Sequence, residues 1–403
     1  MPYLVAILAA LLLAGCEEPV PPVYEEPYPM PLAAGQNSLG PRTTVGASGE
    51  ILLSWMERRD EGALLRAAQL DANGWINTVD IVEDPRMFVN WADLPSATSI
   101  GGGHWVAHWL SYSADLTYSY DVLVAQSQDG GKSWSEPVLP HNDGTPTEHG
   151  FVSMWPADNS VGMIWLDGRK TVSDITDDPR ATGMTLRAAR IDADGALHDE
   201  QLVDNFVCDC CQTDIAVSET GPIAVYRDRS LAEIRDISIS RYVDGSWQRG
   251  EAFSNDGWKI TGCPVNGPAI AADGKLVAVA WFTAAKDSPR VSVRISTDGG
   301  KSFGDTILIA SAKVKGHVDV SYVGDSSFAV SWVQKGDDLD DIRVRSVTTK
   351  GALGRIKTVG RTGAARSVPQ MVFSDGELIF AWTDKAKDQT RLVSVRVEIA
   401  YAY

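Results

Sequence analysis

The chain has 403 residues, 44% of them apolar, and 53 acidic against 36 basic side chains give a formal net charge of −17. The apolar share excludes a disordered chain, and the acidic balance excludes nucleic acid as an expected partner because phosphates repel carboxylates. The 36 Gly, 20 Pro and 13 Trp residues indicate a turn-rich β protein with many aromatic anchors rather than long helices.

An uncharged apolar run from Leu4 to Ala14 begins the chain. It is too short for a membrane-spanning helix, which needs about 20 residues. It ends in Leu13-Ala14-Gly15-Cys16, which resembles the lipobox of bacterial lipoproteins. The resemblance implies a signal peptide over 1–15, acylation of Cys16 by palmitate-type chains, and, because Glu17 follows the cysteine, retention at the outer membrane of the cell envelope.

Residues 16–36 form the next predicted segment, which begins at the lipidated cysteine. Six prolines and four glutamates between residues 17 and 33 predict an extended, self-repelling tether. The membrane is therefore an expected partner through the lipid anchor, and residues 37–403 are the predicted folded body.

Two turns in the body are nearly identical, Ser127–Trp134 and Ser296–Phe303, with the pattern Ser-x-Asp-x-Gly-x-Ser-aromatic. In such a turn the aspartate accepts hydrogen bonds from nearby backbone N–H groups, a glycine supplies positive φ, and the aromatic ring fills a gap between sheets. Weaker copies recur roughly every fifty to sixty-five residues, which indicates a propeller. These copies are Asp71–Trp75, Asp192–Gly195, Asp244–Trp247 and Thr349–Gly351.

A short apolar strand that ends in an aromatic residue precedes each turn and provides a second count of the repeats. The seven aromatic residues, which we interpret as core, are Trp55, Trp109, Trp165, Tyr226, Trp281, Trp332 and Trp382. We predict an all-β propeller of four-stranded blades, with seven blades preferred and six as the alternative. The last repeat, from about Ser367, lacks an outer strand, which the segment before Pro41 could supply to close the ring.

The two matching turns are Asp boxes, and with the blade pattern they resemble the sialidase (neuraminidase) superfamily over roughly residues 40–400. The superfamily includes binding proteins as well as hydrolases, so the resemblance implies the fold more strongly than the activity. A sialidase site requires three arginines on a carboxylate, a Tyr–Glu nucleophile pair and an Asp acid. By resemblance Arg42 takes the first arginine position, although its motif is broken, Asp93 is the acid candidate, and no Tyr–Glu pair is evident. The other arginine candidates are Arg169, Arg227 and Arg366.

A cysteine cluster, Cys208, Cys210 and Cys211, precedes the fourth blade, and Cys263 precedes the fifth. Disulfides are the default in a secreted protein, and the tolerable full pairing is Cys208–Cys211 with Cys210–Cys263. The alternatives are one disulfide with two thiols, or a soft metal such as copper or zinc on the sulfurs. By repeat register His149 and His317 point to the same channel mouth and are further metal-ligand candidates.

Charged and aromatic residues follow the cysteines near this mouth. The candidate ligand-binding residues are Arg227, Asp228, Arg229 and Trp258, with Trp258 as a stacking platform for a sugar or an acidic ligand. The alternative interpretation is a network of surface ion pairs. We therefore expect an anchored propeller that binds a ligand, a carbohydrate or an envelope protein at its channel mouth. A sialidase-like hydrolase and a copper or zinc protein, with or without redox activity, are the alternatives.

Overall fold

The computed structural model describes residues 19–401, except residues 158, 173–177, 365 and 387. Two short strands, β1 (Val23–Tyr24) and β2 (Tyr28–Pro29), precede a ring of seven antiparallel sheets, so that the described residues form a seven-bladed propeller. The seven-blade prediction is confirmed, and the six-blade alternative is wrong. The apolar run, Cys16 and the signal peptide lie outside the described residues.

The strands of each blade follow one another along the chain, from the innermost to the outermost. Blade 1 contains β3 (Ser38–Val45), β4 (Ile51–Arg58), β5 (Ala63–Asp71) and β6 (Gly74–Asp84). Blade 2 contains β7 (Ser96–Gly101), β8 (His104–Tyr112) and β9 (Tyr120–Ser127). Blade 3 contains β10 (His149–Ala157), β11 (Ser160–Asp167), β12 (Thr185–Asp192) and β13 (Leu197–Asp204). In blade 2 a single bridge between Val124 and Val138 stands in place of a fourth strand.

Blades 4 to 6 repeat this order, and blade 7 takes its outer strand from the beginning of the chain. Blade 4 contains β14 (Asp214–Ser218), β15 (Gly221–Arg227), β16 (Ile237–Val243), β17 (Ser246–Trp247) and β18 (Glu251–Ala252), and blade 5 contains β19 (Ala269–Asp273), β20 (Leu276–Thr283), β21 (Arg290–Ser296) and β22 (Ile307–Ser311). Blade 6 contains β23 (Val314–Gly324), β24 (Ser327–Gln334), β25 (Asp340–Thr348) and β26 (Lys357–Thr362). Blade 7 contains β27 (Gln370–Ser374), β28 (Glu377–Ala386) and β29 (Gln389–Ala400). Helical structure in the described residues is limited to the 3₁₀ turns Pro179–Ala181 and Ala285–Asp287. Among these residues no helix has the length and apolarity that a membrane crossing requires.

The second strand of each blade is almost wholly buried because sheets pack against both of its faces. Each of the seven repeat aromatics lies on such a strand, and each is at most 3% exposed. Their interpretation as core residues is confirmed. Continuous apolar stretches such as Val277–Phe282 on β20 fit this two-sided burial.

The repeated turns follow the third strand of a blade and lead into the fourth, as predicted, except in blade 2, which has a single bridge in place of that strand. In the first matching turn Asp129 Oδ1 accepts hydrogen bonds from the N–H groups of Lys132 (3.0 Å) and Ser133 (2.9 Å). The hydrogen bond from the Ser133 hydroxyl is the largest of the effects that lower the pKa of Asp129 to about 2. In the second turn the ring of Phe303 lies edge-on to Phe253 of blade 4, 4.9 Å away. The turn therefore also joins neighbouring blades.

The ring closes between the two ends of the chain. Val23 and Tyr24 pair with Ala400 and Ile399 of β29, and Tyr28 pairs with Arg396 on the same strand. The predicted source of the missing outer strand is thus confirmed. The prediction of a tether over residues 16–36 needs correction, because Tyr24 and Met30 are buried against blade 7 and most of this segment belongs to the propeller. Its hydrogen bonds to β29 and these two apolar side chains outweigh the repulsion among its glutamates.

Polar side chains before or on the innermost strands bind the backbone of the next blade. Asp93 Oδ1 accepts from Phe151 N (2.6 Å), and Asp214 Oδ2 accepts from Ile270 N (2.8 Å). Asp319 Oδ2 accepts from Met371 N at 2.7 Å. These links fix the inner strands around the central channel, and one of them occupies Oδ1 of Asp93, the acid candidate.

Candidate functional site

The four arginine candidates contact four different sets of groups. Arg42 on β3 faces the channel, with its Nη2 atom 3.5 Å from Asp214 Oδ1. The Arg366 guanidinium lies over the ring of Trp91, 5.5 Å from its centroid. Arg169 forms ion pairs with Asp167 (2.7 Å) and with other carboxylates between blades 2 and 3. A three-arginine carboxylate site is therefore not assembled from these residues.

Arg227 at the end of β15 is a structural residue rather than a ligand-binding or catalytic one. Its side chain is buried and donates to three backbone carbonyl groups: Asn266 O at 2.9 Å, Arg235 O at 2.6 Å and Phe282 O at 2.9 Å. The guanidinium also stacks over Trp258, 4.8 Å from the ring centroid. Its donors thus join the loop before β19, the loop between β15 and β16, and strand β20.

The remaining predicted ligand-binding residues also bind the protein itself. Trp258 is 8% exposed and packs between Arg227 and Phe282, so it offers no stacking platform. Asp228 accepts a hydrogen bond from Ser238 (3.0 Å), and burial raises the pKa of Asp228 to about 6. Arg229 pairs with Glu233 and Asp209. The ion-pair interpretation of this stretch describes the structure, and the prediction of an open binding mouth here is wrong.

Asp93 lies before β7 beneath a tyrosine–glutamate pair that sequence reasoning missed. The Tyr120 hydroxyl is 2.7 Å from Glu148 Oε1 and 3.2 Å from Asp93 Oδ2. Burial, together with the neighbouring carboxylate of Glu148, raises the pKa of Asp93 to about 8. Burial likewise raises the pKa of Glu148 to about 7. The pair was not visible because Tyr120 begins β9 whereas Glu148 precedes the next blade, and no motif links them.

A disulfide joins Cys210 to Cys263 and connects the entry loops of blades 4 and 5, with 6.0 Å between the Cα atoms. This is one of the two expected pairs. Cys208 and Cys211 are free and buried, and their Sγ atoms are 3.3 Å apart. The alternative of one disulfide with two thiols therefore describes the structure. Cys210 and Cys263 have no sulfur left to bind copper or zinc.

The two free thiols differ in their surroundings. Arg235 Nη1 donates to Cys208 Sγ at 3.2 Å, a contact that favours the thiolate form of Cys208. The hydrogen bond with Cys211, assisted by Arg235 and Arg227, lowers the pKa of the Cys208 thiol to about 6. Burial raises the pKa of Cys211 well above its usual value. Cys208 and Cys211 can form a second disulfide with each other. Alternatively, they can bind a soft metal ion, to which no other sulfur is then a ligand.

The two predicted histidine ligands lie apart from the cysteines and from each other. His149 stacks on His141 (ring centroids 3.9 Å), whereas His317 packs edge-on to Trp91 (5.6 Å). Among the described residues, the groups of potential ligand atoms that lie close together contain either the three clustered cysteines or histidine with aspartate. The predicted mixed sulfur–imidazole site is wrong for the described residues, because no cysteine sulfur lies close to His149 or His317.

The first half of the channel, where the inner strands begin, is nearly filled. Gln212 crosses it, donating to Ala92 O (2.8 Å) and accepting from Gly267 N (3.1 Å). A space of about 30 Å³ remains around Arg42, Thr213 and His317. The cysteine loops therefore lie at a closed end of the propeller.

The other half of the channel holds a cavity of about 770 Å³, here called the axial cavity. The inner strands of blades 1 and 3 to 7 line it, together with Ser96 of blade 2, and it includes Gly46 and Asp273 at the turns after β3 and β19. Its polar lining includes Arg42, Asp214 and Asp319. Burial, together with Asp214, raises the pKa of Asp319 to about 7. Burial also raises the pKa of Asp214.

No protein-family model matches the sequence, and no curated protein matches it. Solved structures are similar to it. A protein of unknown function from Dyadobacter fermentans has a TM-score of 0.50 and 14% identity, with 94% of this chain and 99% of that chain covered. The polysaccharide lyase Uly1 has a TM-score of 0.52 and 10% identity, with 89% and 90% covered. The structural neighbours also include sialidases, among them that of Trypanosoma rangeli, with a TM-score of 0.49, 13% identity, and 82% of this chain and 57% of that chain covered. At these identities the likeness shows that the chain shares the propeller fold, as the sequence resemblance implied.

Proposed function

We propose that the protein is a lipid-anchored envelope protein that binds an uncharged, hydroxyl-rich ligand, such as a sugar, in the axial cavity. The observation that carries the proposal is the cavity itself. Its volume of about 770 Å³ lies within the range of about 300–1,000 Å³ that small-ligand sites occupy. At the opposite end of the channel, the candidate binding residues are occupied by contacts within the protein.

The lining of the cavity favours a neutral ligand over an acidic one. Arg42 is the guanidinium that lines it, and Asp214 and Asp319 lie on the same wall. These carboxyl groups offset the positive charge of Arg42, which an anionic sugar would need for binding. Tyr322 and Phe373 add aromatic surface, and hydroxyl and amide groups such as those of Thr43 and Gln370 add hydrogen-bonding capacity.

The attachment to the membrane follows from the sequence resemblance at Cys16. If Cys16 carries the lipid, the link to the propeller is short, because the chain joins blade 7 at Val23. Blade 7 would then face the lipid surface at close range. Metabolic labelling with palmitate tests the anchor: wild-type protein should be labelled and sediment with outer membranes, and Cys16→Ser should lose the label.

A glycan array with neutral and sialylated oligosaccharides tests the ligand. The variant Thr43→Trp fills the axial cavity, and Thr358→Trp places the same change at an exposed position on the outer strand β26. We expect wild type and Thr358→Trp to bind neutral glycans and Thr43→Trp to lose this binding at an unchanged melting temperature. Binding that survives in Thr43→Trp, or that is confined to sialylated glycans, would overturn the proposal.

A glycoside hydrolase is the second candidate, because Tyr120, Glu148 and Asp93 supply the nucleophile pair and the acid of a sialidase-type mechanism. The scattered arginines count against it. Hydrolysis of a fluorogenic sialoside that Tyr120→Phe abolishes would establish this activity. We expect no hydrolysis by the wild-type protein.

A further inference from the structure

A second cluster of polar side chains, outside the axial cavity, lies where blades 2 and 3 meet. Asp121 is the second residue of β9, His149 is the first residue of β10, and His141 lies in the connection between these strands. The imidazole rings of His141 and His149 are stacked, with 3.9 Å between centroids and 5° between planes. One oxygen of Asp121 is 3.3 Å from His149 Nδ1 and 3.9 Å from His141 Nε2.

The two nitrogens that face Asp121 form no well-aligned hydrogen bond, although both are buried and Asp121 lies 3.3 Å from His149 Nδ1. His141 Nε2 and His149 Nδ1 are each solvent-inaccessible, and the two histidines are only 4% and 0% exposed. Buried polar atoms are almost always satisfied, and this pair therefore needs an explanation. Two imidazole nitrogens and one carboxylate oxygen beside one another are a complete set of metal ligands.

The other nitrogen of each ring faces a carboxylate, as is usual for metal-binding histidines. Asp143 Oδ2 lies 3.1 Å from His141 Nδ1 and 3.2 Å from His149 Nε2. A carboxylate on the far nitrogen fixes the tautomer that leaves the near nitrogen free to bind a metal. One aspartate therefore directs the lone pairs of both rings to the side of Asp121.

The charges around the cluster leave room for a divalent cation. Three carboxylates lie within 4 Å of His149, and a fourth, that of Glu200, pairs with the two guanidinium groups beside them. The carboxylates are those of Asp121, Asp143, Asp167 and Glu200, and the guanidinium groups are those of Arg169 and Arg187. With neutral imidazoles the cluster carries two excess negative charges, which a divalent ion neutralises.

We propose that Asp121, His141 and His149 bind a divalent transition metal, of which zinc and iron(II) best suit two imidazoles and one carboxylate. A bound metal lies in the plane of each imidazole ring, so the parallel rings tilt apart when it binds. Three protein ligands leave a coordination position for water. The free thiols Cys208 and Cys211 form a separate group of potential ligands, so sulfur plays no part in this site.

Zinc titration by calorimetry, on protein first dialysed against chelator, tests the proposal. The variants Asp121→Asn and His141→Gln each remove a ligand while nearly keeping side-chain size. His198→Gln is the matched control, because His198 pairs with Asp192 at an exposed position of blade 3. Cys208→Ser combined with Cys211→Ser removes the free sulfurs.

We expect wild type, His198→Gln and the cysteine double variant each to bind one zinc equivalent at this site. The wild-type protein should bind this zinc no more tightly than the cysteine double variant does. Asp121→Asn and His141→Gln should each bind zinc at least ten-fold more weakly. Cobalt bound to the wild type should show d–d bands without thiolate charge-transfer absorption. Should His141→Gln fail to fold, Asp121→Asn still decides the matter. No zinc binding to wild type, unchanged binding in Asp121→Asn, or binding lost only in the cysteine variant would overturn the proposal.

Discussion

The two ends of the channel differ in how their polar groups are used. At the closed end, where the inner strands begin, Arg227 and Gln212 are bonded to the protein and a disulfide connects adjacent entry loops. At the open end, the axial cavity is lined by side chains such as Thr43 that are available to a ligand. At the closed end, the cysteines and Arg227, which attract attention in a sequence, therefore serve stability rather than ligand binding.

The largest effect expected at the closed end is that of Arg227→Met. The change leaves three buried carbonyl groups without their donor, which should lower the free energy of unfolding by about 3–6 kcal/mol. Urea unfolding measures the loss, with Arg355→Met as the control at an exposed arginine. A loss below about 1 kcal/mol would show that this end is not held together by Arg227.

Removal of the disulfide should have the next largest effect. The bond joins residues 53 positions apart, and Cys210→Ser with Cys263→Ser should cost about 2–4 kcal/mol because the unfolded chain gains freedom. Urea unfolding of wild type under reducing conditions is the matching control and should show a similar loss. Equal stability with and without the bond would contradict the prediction.

Alkylation tests which cysteines are free at the closed end of the channel. Alkylation of unfolded, unreduced Cys16→Ser protein should modify two cysteines, Cys208 and Cys211. Mass spectrometry of the digested protein identifies them. Because the two Sγ atoms are only 3.3 Å apart, mild oxidation before unfolding should protect both. Modification of Cys210 or Cys263 would contradict the pairing.

The effect of Asp93 depends on pH and, taken over one pH unit, is the smallest. Burial raises its pKa to about 8 in the folded state from 3.8, so the folded state binds more protons than the unfolded state between these values. This carboxyl group therefore makes the protein less stable as the pH rises from about 4 to 8, by at most about 1.4 kcal/mol per pH unit.

Asp93→Asn can keep the hydrogen bond from Phe151 N but does not titrate. Relative to wild type it should gain stability as the pH rises from 5 to 8, which urea unfolding at several pH values measures. Asp244→Asn, at an exposed turn, is the control. A stability difference that is constant with pH would contradict the raised pKa.

Much of the fold could be predicted because its signals are local and repeated. The turn around Asp129 and the core position of Trp165 each follow from a few adjacent residues. The pairing of Cys210 with Cys263 was one of few geometries open to neighbouring entry loops. Closure by the segment around Val23 followed from the missing strand of the last repeat.

The sites were harder to predict, because they combine residues from loops whose paths no repeat specifies. Tyr120 meets Glu148, and His141 meets His149, only after blades 2 and 3 pack together. Arg227 resembled a ligand-binding residue because sequence does not show that three carbonyl groups already occupy it. The axial cavity is lined by ordinary strand residues, and only their arrangement around the axis makes it a site.

A crystal structure of the protein with the neutral oligosaccharide that binds most tightly on the array tests the central claim most directly. We expect ligand density in the axial cavity, within hydrogen-bonding distance of Arg42 and between the inner strands of several blades. Ligand density at the closed end, beside Trp258 and the cysteine loops, would contradict it.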